Sequence, residues 1–219
     1  MSAPVSGAPV DMVPRIEPED RMRADFYALF ARLLFAAPDA ELLQMMGSAP
    51  LIEPEADIEM AATPLAIAWA RLSAASRVMD VDAAADEYDA LFGGIGRSEI
   101  SLFAAYYAGP DAPGAGANFL VDLRAALIEL DVALQTGQNT PEDHFSALFE
   151  TMRLLIQGNG ELPPRDLATQ SRFFRRFIAP CASDCCTAIA KCRLANFYKL
   201  VAECISTFVA IEKQSYEIA

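Results

Sequence analysis

The chain has 219 residues, of which 53% are apolar and 21% charged, and it carries a formal net charge of −13. That balance describes a folded globular protein with enough apolar material for a shared core, not a disordered chain. It also argues against phosphate-backbone binding, since no excess of Lys and Arg is present to release counterions, and it favours cationic partners or simple solubility.

Met1 to Pro14 is rich in Ala, Pro, Gly and Ser, with neither a basic stretch nor a continuous apolar run. Residues 1–17 are therefore expected to form a disordered leader rather than a signal peptide, followed by one helical domain over 18–219. No run approaches the ~20 apolar residues that span a bilayer, so no membrane insertion is expected. Five cysteines and no export signal point to reduced thiols in the cytoplasm.

From Glu19 the pattern is helical: Phe26, Leu29, Phe30, Leu33 and Leu34 recur at three- and four-residue steps. A short amphipathic piece follows from Asp39 to Met46. Thr63-Pro64 opens an Ala-rich helix around Trp69, and Asp82 to Phe92 is another, stopped by Gly93-Gly94. Gly93 to Gly116 is the main irregular region, with a helical piece from Ser101 to Ala108. Phe119 to Leu134 is strongly periodic. Thr140-Pro141-Glu142-Asp143 reads as a helix start, Thr being an N-cap type and Pro suiting the first turn, and that helix runs through Ile156. Asp166 to Ile178 and Pro180 to about Gln214 complete the chain. No segment alternates as a strand would. The expected fold is all-α, a single-domain helical bundle of about nine to eleven helices.

Three stretches together resemble the TorD/DmsD (NarJ-like) family of redox-enzyme maturation chaperones. Glu87-Tyr88-Asp89-Ala90-Leu91-Phe92-Gly93-Gly94 is similar to the family's Tyr-x-x-Leu-Phe run before a Gly-containing loop. Arg97-Ser98-Glu99-Ile100 through Tyr106-Tyr107 is similar to its aromatic-rich segment. Glu142-Asp143-His144, followed by Leu148, Glu150 and Met152, is similar to its Asp-His pair at a helix start. Within the family, Gly96 to Ile100 and Asn196-Phe197-Tyr198 are most similar to the subgroup that accompanies formate dehydrogenases. Ile95, Leu102 and Ala105 depart from the Pro and Ser residues common in the family's loop.

The resemblance implies an all-helical cytoplasmic chaperone, not an enzyme. It implies binding of the twin-arginine signal peptide of a molybdenum or tungsten enzyme, and perhaps of the enzyme body, during cofactor insertion and before export. Such a leader has a basic stretch followed by an apolar one, so a binder needs an apolar groove and nearby carboxylates. The expected peptide-binding set is Leu91, Phe92, Glu99, Phe103, Tyr107, Glu142, Asp143 and His144, with Glu87 and Asp89 as further acids. The plainer reading of the last pair is a helix cap at Asp143 and local packing by His144. No cofactor, nucleic acid or membrane is expected as a partner, and the chain is expected to be a monomer or a domain-swapped dimer.

His144 is the only histidine, and no second acid–base partner or nucleophile accompanies it, so no catalytic residue is assigned. Gly93-Gly94-Ile95-Gly96 lacks the Gly-Lys-Ser/Thr ending of a phosphate loop. Cys181, Cys185, Cys186 and Cys192 lie close together. On one continuous helix Cys181, Cys185 and Cys192 would fall within about 40° of each other. Helical cysteines are commonly small buried hydrophobes, and no metal site is assigned; a metal- or redox-responsive regulator built on this cluster is the alternative function.

Overall fold

A computed structural model of the chain describes residues 16–52, 63–93, 98–109, 117–132 and 140–218. The expected leader is thus almost wholly outside the described residues, as are the glycine-rich loop at 94–97 and the segment 133–139. Every regular element that is described is a helix.

Helix α1 (Pro18–Phe35) begins with Pro at its first position and Glu19 and Asp20 in its first turn, where acids suit the exposed N–H groups. Side chains cap the next three helices in turn. Asp39 receives the N–H of Leu42 at 2.8 Å to start α2 (Ala40–Ser48). Thr63 receives that of Ala66 at 3.2 Å for α3 (Pro64–Ser76), and Asp80 that of Ala83 at 3.0 Å for α4 (Val81–Phe92). Among the described residues of the irregular region, one helical turn is present, α5 (Ala104–Tyr107).

Helix α6 (Ala117–Glu129) ends earlier than its periodicity suggests. Asp131 takes a left-handed conformation, φ 58°, and the N–H of Val132 turns back to the carbonyl of Leu127 at 3.1 Å. Helix α7 (Phe145–Gln157) starts later than expected, with His144 rather than Thr140 as its N-cap. It stops at Gly158, where φ is 70° and a Cβ would lie 2.3 Å from the carbonyl oxygen of Leu162. Only glycine fits there without displacing backbone.

Helix α8 (Leu167–Phe173), capped by Asp166, passes through a π-helical turn at Phe174–Ile178 into α9 (Ala179–Lys191). The N–H of Ala179 reaches back to the carbonyl of Phe174, five residues away. This widened turn precedes Pro180, whose ring would crowd a regular helix. The expected single run from Pro180 to Gln214 is broken: α9 ends at Lys191 and α10 (Phe197–Ile218) begins after a bend.

The core is aromatic. Helix α1 lies along α7, and α10 packs on α9 and α3. Tyr27 and Phe30 approach Phe149 with ring centroids 5.9 and 6.2 Å away, and Tyr27 meets Phe208 edge-on at 4.9 Å. Fully burying one such ring stabilises the fold by about 2–3 kcal/mol.

Candidate functional site

The segments 102–105 and 143–145 are held against each other by backbone. Phe145 N–H donates to the Leu102 carbonyl at 2.9 Å, and Ala104 N–H to the Asp143 carbonyl at 2.8 Å. Phe103 and His144 form the resulting isolated antiparallel bridge. Asp143 is buried, and its Oδ2 receives the N–H of Ala105 at 3.3 Å. The expectation that Asp143 caps its own helix is therefore corrected. Its carboxylate serves α5, and His144 caps α7 by accepting the N–H of Ser146 on Nδ1 at 3.3 Å. The later start of α7 follows, because residue 143 is committed to the neighbouring segment.

Burial raises the pKa of Asp143 above the ordinary carboxyl value and lowers that of His144 to about 4. His144 is thus neutral near pH 7, and its ring meets Phe103 edge-on at 5.3 Å. Phe103 is 41% exposed and Tyr106 74% exposed, so this junction presents aromatic surface to solvent. Glu142 is partly exposed beside it and binds Arg124 of α6, whose Nε–H donates to Oε2 at 2.6 Å. Glu99 is exposed as well. Tyr107 is half-buried and donates its hydroxyl to the Ser101 carbonyl at 2.9 Å, and burial raises its pKa.

Not every expected residue belongs to this surface. Leu91 has no exposure and serves the core. Phe92 packs at 5.1 Å from both Tyr88 and Tyr198, joining α4 to α10. Glu87 is buried, and its carboxylate receives the backbone N–H groups of Asn196, Phe197 and Tyr198 at 2.8 to 3.1 Å. It caps α10 and is not available to a ligand, whereas Asp89 is exposed.

A second surface was not foreseen from sequence. Between α1, α2 and α3 lies a groove of about 1260 Å³, floored by Phe26, Leu29, Leu42, Met46 and Trp69. Met22, Met45 and Leu51, all about half exposed, stand beside it. The signal was present in those outward apolar positions, and methionine adapts readily to a varied apolar ligand. The charged residues along the groove balance: Glu17 and Asp25 against Arg21 and Arg32.

The model of the nitrate reductase delta subunit family matches residues 58–187, more than half of the chain. The chain belongs to that family. Its members are TorD-like chaperones for redox enzyme maturation and are not catalysts, in agreement with the class read from sequence. The matched span contains both halves of the Phe103–His144 junction, α4 and most of α9. No curated protein matches the chain.

Cys181, Cys185 and Cys186 are buried on α9, and Cys204 is buried on α10. Cys192 is half-buried and sits beyond the end of α9 in extended conformation, so it does not share a helical face with Cys181 and Cys185. Burial pushes the thiols of Cys181 up to about 11 and of Cys185 and Cys204 to about 12, and raises that of Cys186 too. Among the described residues, no three His, Cys, Asp or Glu side chains converge on a possible metal position. No helix among them is long and apolar enough to cross a membrane.

Proposed function

We propose that this member of the nitrate reductase delta subunit family binds the twin-arginine leader of a molybdenum or tungsten enzyme, with formate dehydrogenase as the client. It acts in the cytoplasm, as a monomer or a domain-swapped dimer, while the cofactor is inserted and before export. Family membership carries the chaperone part of this reading. The leader part is supported by the Phe103–His144 junction, where outward aromatic surface adjoins the partly exposed carboxylate of Glu142.

The chemistry of the junction suits such a ligand. A guanidinium gains from a carboxylate in a fork geometry and from an aromatic face. Apolar residues that follow the arginines in the leader gain from covering Phe103 and Tyr106. His144, neutral and half-buried, adds no competing positive charge. Glu99, exposed four residues before Phe103, adds negative potential that steers a cationic peptide. The groove between α1, α2 and α3 has no net charge along it and suits an apolar stretch of the client body rather than the basic part of its leader.

The test is fluorescence anisotropy of a labelled synthetic leader, carrying Arg-Arg ahead of an apolar stretch, titrated with the full chain. Phe103→Ala weakens binding about three- to thirty-fold, and Glu142→Gln weakens it about two- to five-fold, an effect that shrinks at high salt. Unchanged affinity in both variants contradicts the proposed site.

A further inference from the structure

Arg124 places a guanidinium on the very carboxylate that the leader reading assigns to a ligand arginine. Its Nε lies 2.6 Å from Glu142 Oε2, with the two side chains 61% and 28% exposed. An exposed pair of this kind is weakly held and readily exchanged. Helix α6 does not need it, because Phe119, Leu123 and Leu127 are buried and anchor it; two further exposed ion pairs on the same helix add little. Asp122 meets Arg176 at 2.9 Å and Glu129 meets Arg172 at 3.6 Å.

We propose that Arg124 is an internal stand-in for a leader arginine, occupying Glu142 in the free protein and displaced when the leader docks. This rests on the reading that the leader docks at Glu142. Displacement exchanges one guanidinium–carboxylate contact for another, so charge alone gives a ligand little net gain. A peptide succeeds only if it adds other contacts, such as apolar cover for Phe103 and Tyr106. Arg124 thereby raises the selectivity of an acidic surface that would otherwise accept any cation. Arg124 makes a single contact through Nε, whereas a ligand guanidinium that engages both carboxylate oxygens gains a second bond that a lysine cannot match.

The experiment titrates two labelled peptides, one with Arg-Arg and one with Gln-Gln ahead of the same apolar stretch, into the full chain. Wild type, Arg124→Gln and Arg176→Gln are compared. Arg124→Gln is expected to bind the Arg-Arg peptide about two- to five-fold tighter, the range a surface ion pair allows. Its affinity for the Gln-Gln peptide and the affinities of Arg176→Gln stay at wild-type values. Arg124→Lys, which keeps the charge, gives a smaller gain and serves if Arg124→Gln melts early. Equal or weaker binding of the Arg-Arg peptide by both Arg124 variants contradicts the inference alone, as does equal tightening for both peptides. If wild type binds neither peptide, the leader reading fails and the inference fails with it.

Discussion

Glu87 on α4 accepts the backbone N–H of Tyr198 at 2.9 Å across a separation of 111 residues, and through this contact it fixes where α10 begins. The same carboxylate takes the N–H groups of Asn196 and Phe197, so one side chain satisfies three donors at a helix start. Glu87→Ala leaves two of those donors, at Phe197 and Tyr198, without a partner in a buried place and is expected to destabilise the fold by about 3 kcal/mol. Urea denaturation followed by circular dichroism checks this, and a loss below about 1 kcal/mol contradicts it.

That contact also explains a misreading of the sequence. Nothing between Lys191 and Phe197 is Gly or Pro, so the stretch from Pro180 onward looks like one helix. The break is imposed by a tertiary partner far away in sequence, which local pattern cannot reveal. The start of α7 is similar: Thr140-Pro141 is sound local chemistry, but the Asp143 carbonyl and carboxylate are taken by Ala104 and Ala105. The helical class itself was plain from the apolar periods of α1 and α6, because those positions do face the core. The α1–α2–α3 groove was not, because its lining comes from separate helices.

Arg23, half-buried, and Glu212, buried, pair between α1 and α10, with Nε to Oε1 at 2.7 Å and a terminal nitrogen to Oε2 at 2.9 Å. Burial opposes the Arg23 charge, but Glu212 and Tyr216 outweigh it and hold the guanidinium above its ordinary pKa. Tyr27 also donates to Glu212, at 2.9 Å, and burial raises its pKa. Glu212→Ala leaves the buried Tyr27 hydroxyl without its acceptor and leaves Arg23 only the more exposed Asp20, at 2.7 Å, and is expected to cost about 3 kcal/mol. The double variant Arg23→Met with Glu212→Leu is expected to recover most of it. Chemical denaturation of the single and double variants measures the difference; equal losses contradict the account.

The junction predicts a pH dependence with a definite sign. The folded state depresses the pKa of His144 from 6.5 to about 4, so protonation opposes folding. The stability this contributes is complete above pH 6.5 and is lost as pH falls toward 4. Asp143 acts oppositely, since its raised pKa favours the neutral carboxyl as pH falls through that raised value. His144→Asn keeps a capping acceptor and removes the titration, so its urea midpoint should fall less than that of wild type between pH 7 and 4.5. Parallel falls would show that His144 does not titrate in this window.

The cysteines should separate by access. Reaction with a thiol reagent such as DTNB is expected to give one fast equivalent from Cys192 and four slow ones from Cys181, Cys185, Cys186 and Cys204, which react only as the fold opens. Cys192→Ser should abolish the fast phase. Several fast equivalents would revive the redox-responsive reading.

The most direct test of the chaperone account uses a whole client. Full-length formate dehydrogenase catalytic-subunit precursor, and the same subunit with its leader removed, are each titrated with the chain by isothermal calorimetry. The account predicts at least ten-fold tighter binding of the precursor, on the order of 1.4 kcal/mol in binding free energy. Equal affinity for the two forms, or no heat of binding with either, would contradict it.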